Sequence, residues 1–133
     1  MGAKNFRDLL VWRKAHEMVL GVYRVAAALP RSETYGLSLQ MRRAAVSVTA
    51  NIAEGFTRHS KKEKLRFMNV AEGSLEEVRN YLILAEDLGC DNTAEIVPIL
   101  EETSRLLCAY GRAIRNSVRA GECGKVGPST SDW

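Results

Sequence analysis

Proline is scarce in this 133-residue chain, with only Pro30, Pro98 and Pro128, and Thr and Ile are few. Sparse proline beside abundant Ala, Leu, Glu and Arg disfavours strands and loops and favours helix. The cysteines are an odd count of three, Cys90, Cys108 and Cys123, and no Cys-x-x-Cys pair occurs. No signal peptide is read at the start, since Met1 to Arg7 is polar and no apolar stretch follows. No apolar run reaches the roughly 18 residues that a membrane span needs. Free thiols in a cytoplasmic protein are the simplest expectation, with no membrane partner.

The residues that carry chemistry are missing as well. The two histidines, His16 and His59, form neither a His-x-x-x-His nor a Glu-x-x-His pair, which excludes a ferritin-like di-iron motif. His16 reads as a packing or boundary residue. No Gly-x-x-x-x-Gly-Lys and no Gly-x-Gly-x-x-Gly occurs to cradle phosphate. Cys90 falls near a helix C-terminus, where the dipole disfavours a thiolate. Cys108 flanks a helical stripe as a small hydrophobe. Glu72, Glu76 and Glu77 read as a solvated face or ion-pair partners, which Arg42 and Arg43 could meet across helices. No enzyme, no cofactor and no metal is therefore expected.

What is present is helical periodicity. Apolar residues make up 46% and charged residues 26% of the chain, enough for one globular core without disulfides or metal. Trp12, Ala15, Val19, Val22 with Tyr23, Ala26 and Leu29 recur at three- and four-residue steps, which predicts a helix from about Leu10 to Leu29. Pro30 stops it. Ser38 is the expected N-cap of a second helix, whose stripe is Met41, Ala44 with Ala45, Val48, Ile52 and Phe56. Ser60 and Glu63 have capping-box spacing at the start of a third. There Met68, Ala71, Leu75, Val78, Leu82 and Ala85 alternate strictly by three and four, as in a bundle seam. Gly73 is read as tolerated for close packing, and Gly89 as the stop.

Asn92-Thr93-Ala94-Glu95 has capping-box spacing again, ahead of a fourth stripe of Ile96, Ile99 with Leu100, Thr103, Leu106 with Leu107, Tyr110 and Ile114. That helix is expected to fade near Arg119. The fold expected is all-α, an antiparallel up-down-up-down four-helix bundle over residues 1–120 with a flexible C-terminal tail, 121–133. Its expected core is Trp12, Val19, Val48, Ile52, Leu75, Val78, Leu82, Ile99, Leu106 and Tyr110.

Charge is unevenly spread. Residues 1–31 carry six Lys/Arg against two Asp/Glu, and residues 32–64 six against three. Residues 65–90 carry two against five. Such polarity serves solubility, subunit pairing or polyanion binding. The basic segment Arg58-His59-Ser60-Lys61-Lys62-Glu63-Lys64, continued by Arg66, is either a solvated junction or a phosphate-contacting patch. The candidate nucleic-acid residues are Arg42, Arg43, Arg58, Lys61, Lys62 and Lys64. A second, small polar stripe on the second helix (Gln40, Arg43, Ser47, Asn51, Glu54) invites a neighbouring subunit or a tightly packed partner helix. Its candidate interface residues are Gln40, Ser47, Asn51 and Glu54.

Four stretches carry a family resemblance: Phe6-Arg7-Asp8-Leu9-Leu10-Val11-Trp12-Arg13-Lys14-Ala15; Tyr35-Gly36-Leu37 with Gln40-Met41-Arg42-Arg43-Ala44-Ala45-Val46-Ser47-Val48; Asn51-Ile52-Ala53-Glu54-Gly55; and Ala71-Glu72-Gly73-Ser74-Leu75-Glu76-Glu77. Together they resemble the 23S rRNA intervening-sequence protein family over roughly residues 6–89. The resemblance implies a four-helix bundle assembling as a ring-like homopentamer, encoded within insertions of bacterial 23S rRNA genes or standing alone on chromosomes. A related bundle, the accessory protein of diversity-generating retroelements, is a basic pentamer that binds nucleic acid and a reverse transcriptase. The expectation is a non-enzymatic homo-oligomer that contacts RNA, DNA or a nucleic-acid enzyme. The alternative is a protein-interaction scaffold without nucleic-acid binding.

Overall fold

Helix α1, Leu10–Ala27, forms where apolar residues return every three or four positions, and its chain turns out at Ala28 ahead of Pro30. The computed structural model describes residues 2–90 and 93–122. Over these it holds α1, α2 (Leu37–Phe56), α3 (Lys61–Asp87) and α4 (Val97–Glu122), with 3-10 turns at Phe6–Asp8 and Arg31–Glu33 and no strand among the described residues. Asn92, Cys123 and the tail from residue 123 lie outside the described residues. No helix described is long and apolar enough to cross a membrane.

The four helices pack around one core. Helix α2 lies against α1 and α3 and α4 lies against the same two, so that α1 and α3, like α2 and α4, are diagonal across the core. The strict alternation on α3 is buried throughout: Met68, Ala71, Leu75, Val78, Leu82 and Ala85. Met41, Val48 and Ile52 face them from α2, and Leu100, Leu107, Tyr110 and Ile114 from α4.

The expected stripe on α1 is buried at Ala15, Val19, Val22 and Ala26, but the centre of the buried face is shifted away from the aromatic rings. Val11, Ala15, Met18, Val22 and Val25 form the buried centre, and Leu9 just before the helix is also fully buried. Trp12 and Ile99, expected in the core, are only half-buried against its edge, and Tyr23 is exposed. The expected stripe follows the aromatic rings to one side. The packing instead selects the branched aliphatics and the flexible Met18, which fill a helix-lined interior with less bulk.

The helix ends show one correction and two agreements. Ser38 does not cap α2; it lies inside the first turn, buried, and the cap position is Gly36. The carboxylate of Glu33 accepts the Leu37 N–H at 3.1 Å in its place. At α3 the Ser60 side chain accepts the Glu63 N–H at 3.0 Å, one half of the expected capping box, while the Glu63 carboxylate turns to Arg66. Gly89 ends α3 at φ +99°, a conformation that favours glycine. Around it the Cys90 N–H donates to the Ala85 carbonyl and the Gly89 N–H to the Glu86 carbonyl, each at 3.0 Å, which is the Schellman pattern.

Two glycines differ in what surrounds them. A Cβ on Gly55 would sit 2.6 Å from the Met68 Cε and 2.9 Å from the Phe67 Cβ, so α2 and α3 approach closely only because that side chain is absent. Gly73, expected to serve the same end, faces open space with nothing within 4 Å. Gly73→Ala should therefore raise stability by up to about 1 kcal/mol through helix propensity. Urea unfolding of both proteins measures this, and a lower midpoint for the variant would contradict the open setting.

Candidate nucleic-acid interface

The basic segment between α2 and α3 is held by its own chain. Phe56 ends α2 and Lys61 begins α3, so only four residues turn the corner. The Lys64 ammonium reaches back to the carbonyls of Phe56 at 2.8 Å and Gly55 at 3.4 Å and lies over the Phe56 ring. It closes the C-terminal end of α2, where carbonyls lack partners and the dipole favours a cation. Burial pulls its pKa down from 10.5.

Lys61 donates to the Arg115 carbonyl at 2.7 Å, tying the start of α3 to α4. Arg58 pairs with Glu54 at 2.7 Å, one turn back on α2. Its guanidinium stacks on Phe67 at 4.9 Å, and that of Arg66 stacks on the same ring at 4.7 Å. The Nε of Arg58 is buried without a hydrogen-bond partner, a desolvation cost that the stacking offsets only in part. Arg66 also pairs with Glu63 at 3.0 Å. That hydrogen bond holds the Glu63 carboxyl below the usual range and raises the Arg66 guanidinium.

The six candidate cations thus separate. Arg58, Lys61 and Lys64 have structural partners. Arg42 donates to the carbonyls of Ser38 at 3.2 Å and Thr34 at 3.3 Å, stitching the turn before α2 onto the helix. Lys62 and Arg43 are exposed and make neither a hydrogen bond nor an ion pair among the described residues. The pairing of Arg42 and Arg43 with the α3 carboxylates does not form. Glu76 goes to Arg79 on its own helix, which also bonds Glu101 on α4, and Glu72 lies 3.8 Å from the Cys108 sulfur. Cys108, expected as a small hydrophobe, is exposed on α4. His16 stacks flat on Trp12 at 4.8 Å, at the boundary of the core.

The polar stripe on α2 also divides. Ser47 bonds Ser74 of α3 at 2.7 Å, and the Asn51 amide donates to the Ser47 carbonyl at 2.7 Å and hydroxyl at 3.1 Å. The middle of the stripe is thus used within the chain. Gln40 and Glu54 remain exposed.

The fold adds residues that the linear segment did not show. Because Lys61 meets the backbone of Arg115, the exposed Arg112 and Arg115 of α4 come to the same corner. Arg58, Lys61, Lys62, Lys64, Arg66, Arg112 and Arg115 then stand against Glu54 and Glu63, seven cations to two carboxylates. The i,i+3 step between Arg112 and Arg115 was legible as a basic row on α4; its meeting with the α2–α3 junction was not.

Against known proteins, a family model described as 23S rRNA-intervening sequence protein matches residues 7–109, from the first 3-10 turn well into α4. No curated protein matches the chain.

Proposed function

This chain belongs to the 23S rRNA-intervening sequence protein family, and we propose that it is a non-enzymatic, homo-oligomeric bundle that contacts RNA or DNA through its basic corner. The observation that carries the reading is the seven-to-two excess of cations where α2, α3 and α4 meet. Lys62, Arg66, Arg112 and Arg115 have exposed side chains there, set on helices instead of a loose loop. Exposed cations of this kind bind phosphates with weak sequence preference.

The same reading takes the helices as up-down-up-down. Along α2 and α3 the partners run in opposite order, Gly55 with Met68 and Ser47 with Ser74. Along α3 and α4 they do so again, Lys61 with Arg115, Glu72 with Cys108 and Arg79 with Glu101. The start of α1, with Arg7 and Arg13, then comes to the basic end as well. Assembly as a pentamer follows the family resemblance, and a cytoplasmic location follows the free thiols of Cys90 and Cys108.

The test is a salt series with a duplex and a single-stranded RNA. Affinity should fall steeply as salt rises, and each phosphate contact removed should flatten the slope of log K against log salt by about 1. Lys62→Glu with Arg66→Glu should weaken binding at least tenfold at low salt. Lys64→Gln should lower thermal stability and leave that slope nearly unchanged. Absence of salt-dependent binding by the unaltered protein would reject the nucleic-acid role and leave a protein-interaction scaffold.

A further inference from the structure

Two helices diagonal across the bundle, α1 and α3, each carry an exposed apolar row with charges of opposite sign. On α1, Leu20 and Tyr23 are 47% and 44% exposed, and Arg24 stands exposed beside them without an ion pair among the described residues. On α3, Val70 and Leu84 are each 44% exposed. They stand two heptads apart with exposed Glu77 midway, also without an ion pair among the described residues.

The apolar residues of both rows lean toward α2, while Arg24, one turn on from Leu20, stands at the α4 edge of its row beside Glu95 and Ile96. Gly21 faces Ile96, ahead of α4, and Tyr23, two positions on, falls about 200° round α1, toward α2. On α3, Ser74 faces α2 while Glu72 and Arg79 face α4. Val70, Glu77 and Leu84 lie within about 80° of Ser74 and well away from Glu72. The α3 row stretches over roughly 20 Å of helix from Val70 to Leu84, and the α1 row is a shorter patch of one turn, Leu20 to Arg24. Gly73 lies bare beside the α3 row, so a second helix meets no side chain there.

We infer that the α1 row of one copy docks on the α3 row of another, with Leu20 and Tyr23 against Val70 and Leu84 and Arg24 toward Glu77. The contact is head-to-tail, because the two faces belong to different helices and differ in charge. Apolar area supplies the affinity, while the opposite charges set orientation and reject an α1–α1 or α3–α3 pairing. The inference rests on the homo-oligomer proposed above and specifies which surfaces build it.

A mixing experiment tests it. Tyr23→Glu spoils one face and Leu84→Glu the other, so that the two spoiled faces repel each other, and both positions are exposed, so circular dichroism should show each variant folded. Light scattering at micromolar concentration should give an oligomer for the unaltered chain and a monomer for each variant alone. A one-to-one mixture of the variants retains one intact pair of faces and should give a dimer and nothing larger. If the unaltered chain is a monomer, the oligomer reading falls and the interface with it. If the unaltered chain is an oligomer and both variants remain so, the interface is wrong and the oligomer stands. Monomeric variants that stay monomeric when mixed would also overturn the head-to-tail pairing.

Discussion

Leu82→Ala should destabilise the fold by about 2–5 kcal/mol. Leu82 is 4% exposed and sits on the buried α3 stripe, one turn from Val78 and from Ala85. Removing three carbons there loses their transfer free energy and leaves a cavity that two rigid helix backbones cannot close. A domain of this size has about 5–15 kcal/mol in all, so the loss is a large part of the total and should lower the melting temperature by on the order of 10 °C. Denaturant unfolding monitored by circular dichroism measures it. A change under about 1 kcal/mol would mean that the α3 seam is not packed as described. Ile83, the next residue, is 53% exposed, and Ile83→Ala is the control: its cost should stay well below that of Leu82→Ala.

The second large effect is alkaline. Burial pushes the Tyr110 hydroxyl up from 10.0 to about 12, because a phenolate is poorly solvated among apolar side chains. The unfolded chain ionises this group near 10 and the folded chain near 12. Between those values the unfolded state has shed a proton that the native state keeps, so raising the pH favours unfolding. The stabilisation is whole below pH 10 and is lost as pH climbs toward 12, by about 2–3 kcal/mol for a shift of this size. Lys64 works in the opposite sense: its lowered pKa means stability gained as pH rises toward 10.5, but the group is only half-buried and its effect smaller. Tyr110→Phe isolates the tyrosine. The difference in stability between the two proteins should be small at pH 8 and should widen in favour of the variant above pH 10. Parallel profiles across that range would show that Tyr110 is not the responsible group.

How far the sequence carried can be judged residue by residue. Helix α3 was legible in full, since a strict three-four alternation leaves one choice of buried face and both ends carry unambiguous signals, Ser60 with Glu63 and Gly89. Helix α1 was legible as a helix and in part of its buried face, Ala15, Val19, Val22 and Ala26, but Trp12 and Tyr23 were misplaced. Apolar residues fill most positions from Leu9 to Leu29, so periodicity leaves several stripes open, and the partner helices decide. The cap of α2 was missed because Ser38 is a good capping residue by type. The actual partner is Glu33, placed by a 3-10 turn that the sequence did not announce.

The candidate site was legible as a list of cations and not as a geometry. That Lys64 closes α2, that Arg58 and Arg66 share one ring, and that Arg112 and Arg115 join the corner all depend on tertiary contacts between separate helices. Spacing along the chain is silent on such contacts, whereas the Ser60 cap and the 3.6-residue period are local and were read directly.

The order in which the helices pair bears on how the chain finds its fold. Three of the four helix pairings join consecutive helices; only α1 with α4 spans the length of the bundle. At that seam Gly21 and Ile96 meet across 75 positions of chain. Closing so long a loop costs only about 2 kcal/mol more entropy than closing a helical hairpin, because the cost grows with the logarithm of length. Contacts this local belong to chains that fold in microseconds to milliseconds. Three hairpins can collapse from their own neighbours, and the fourth seam shuts once they have made its two sides.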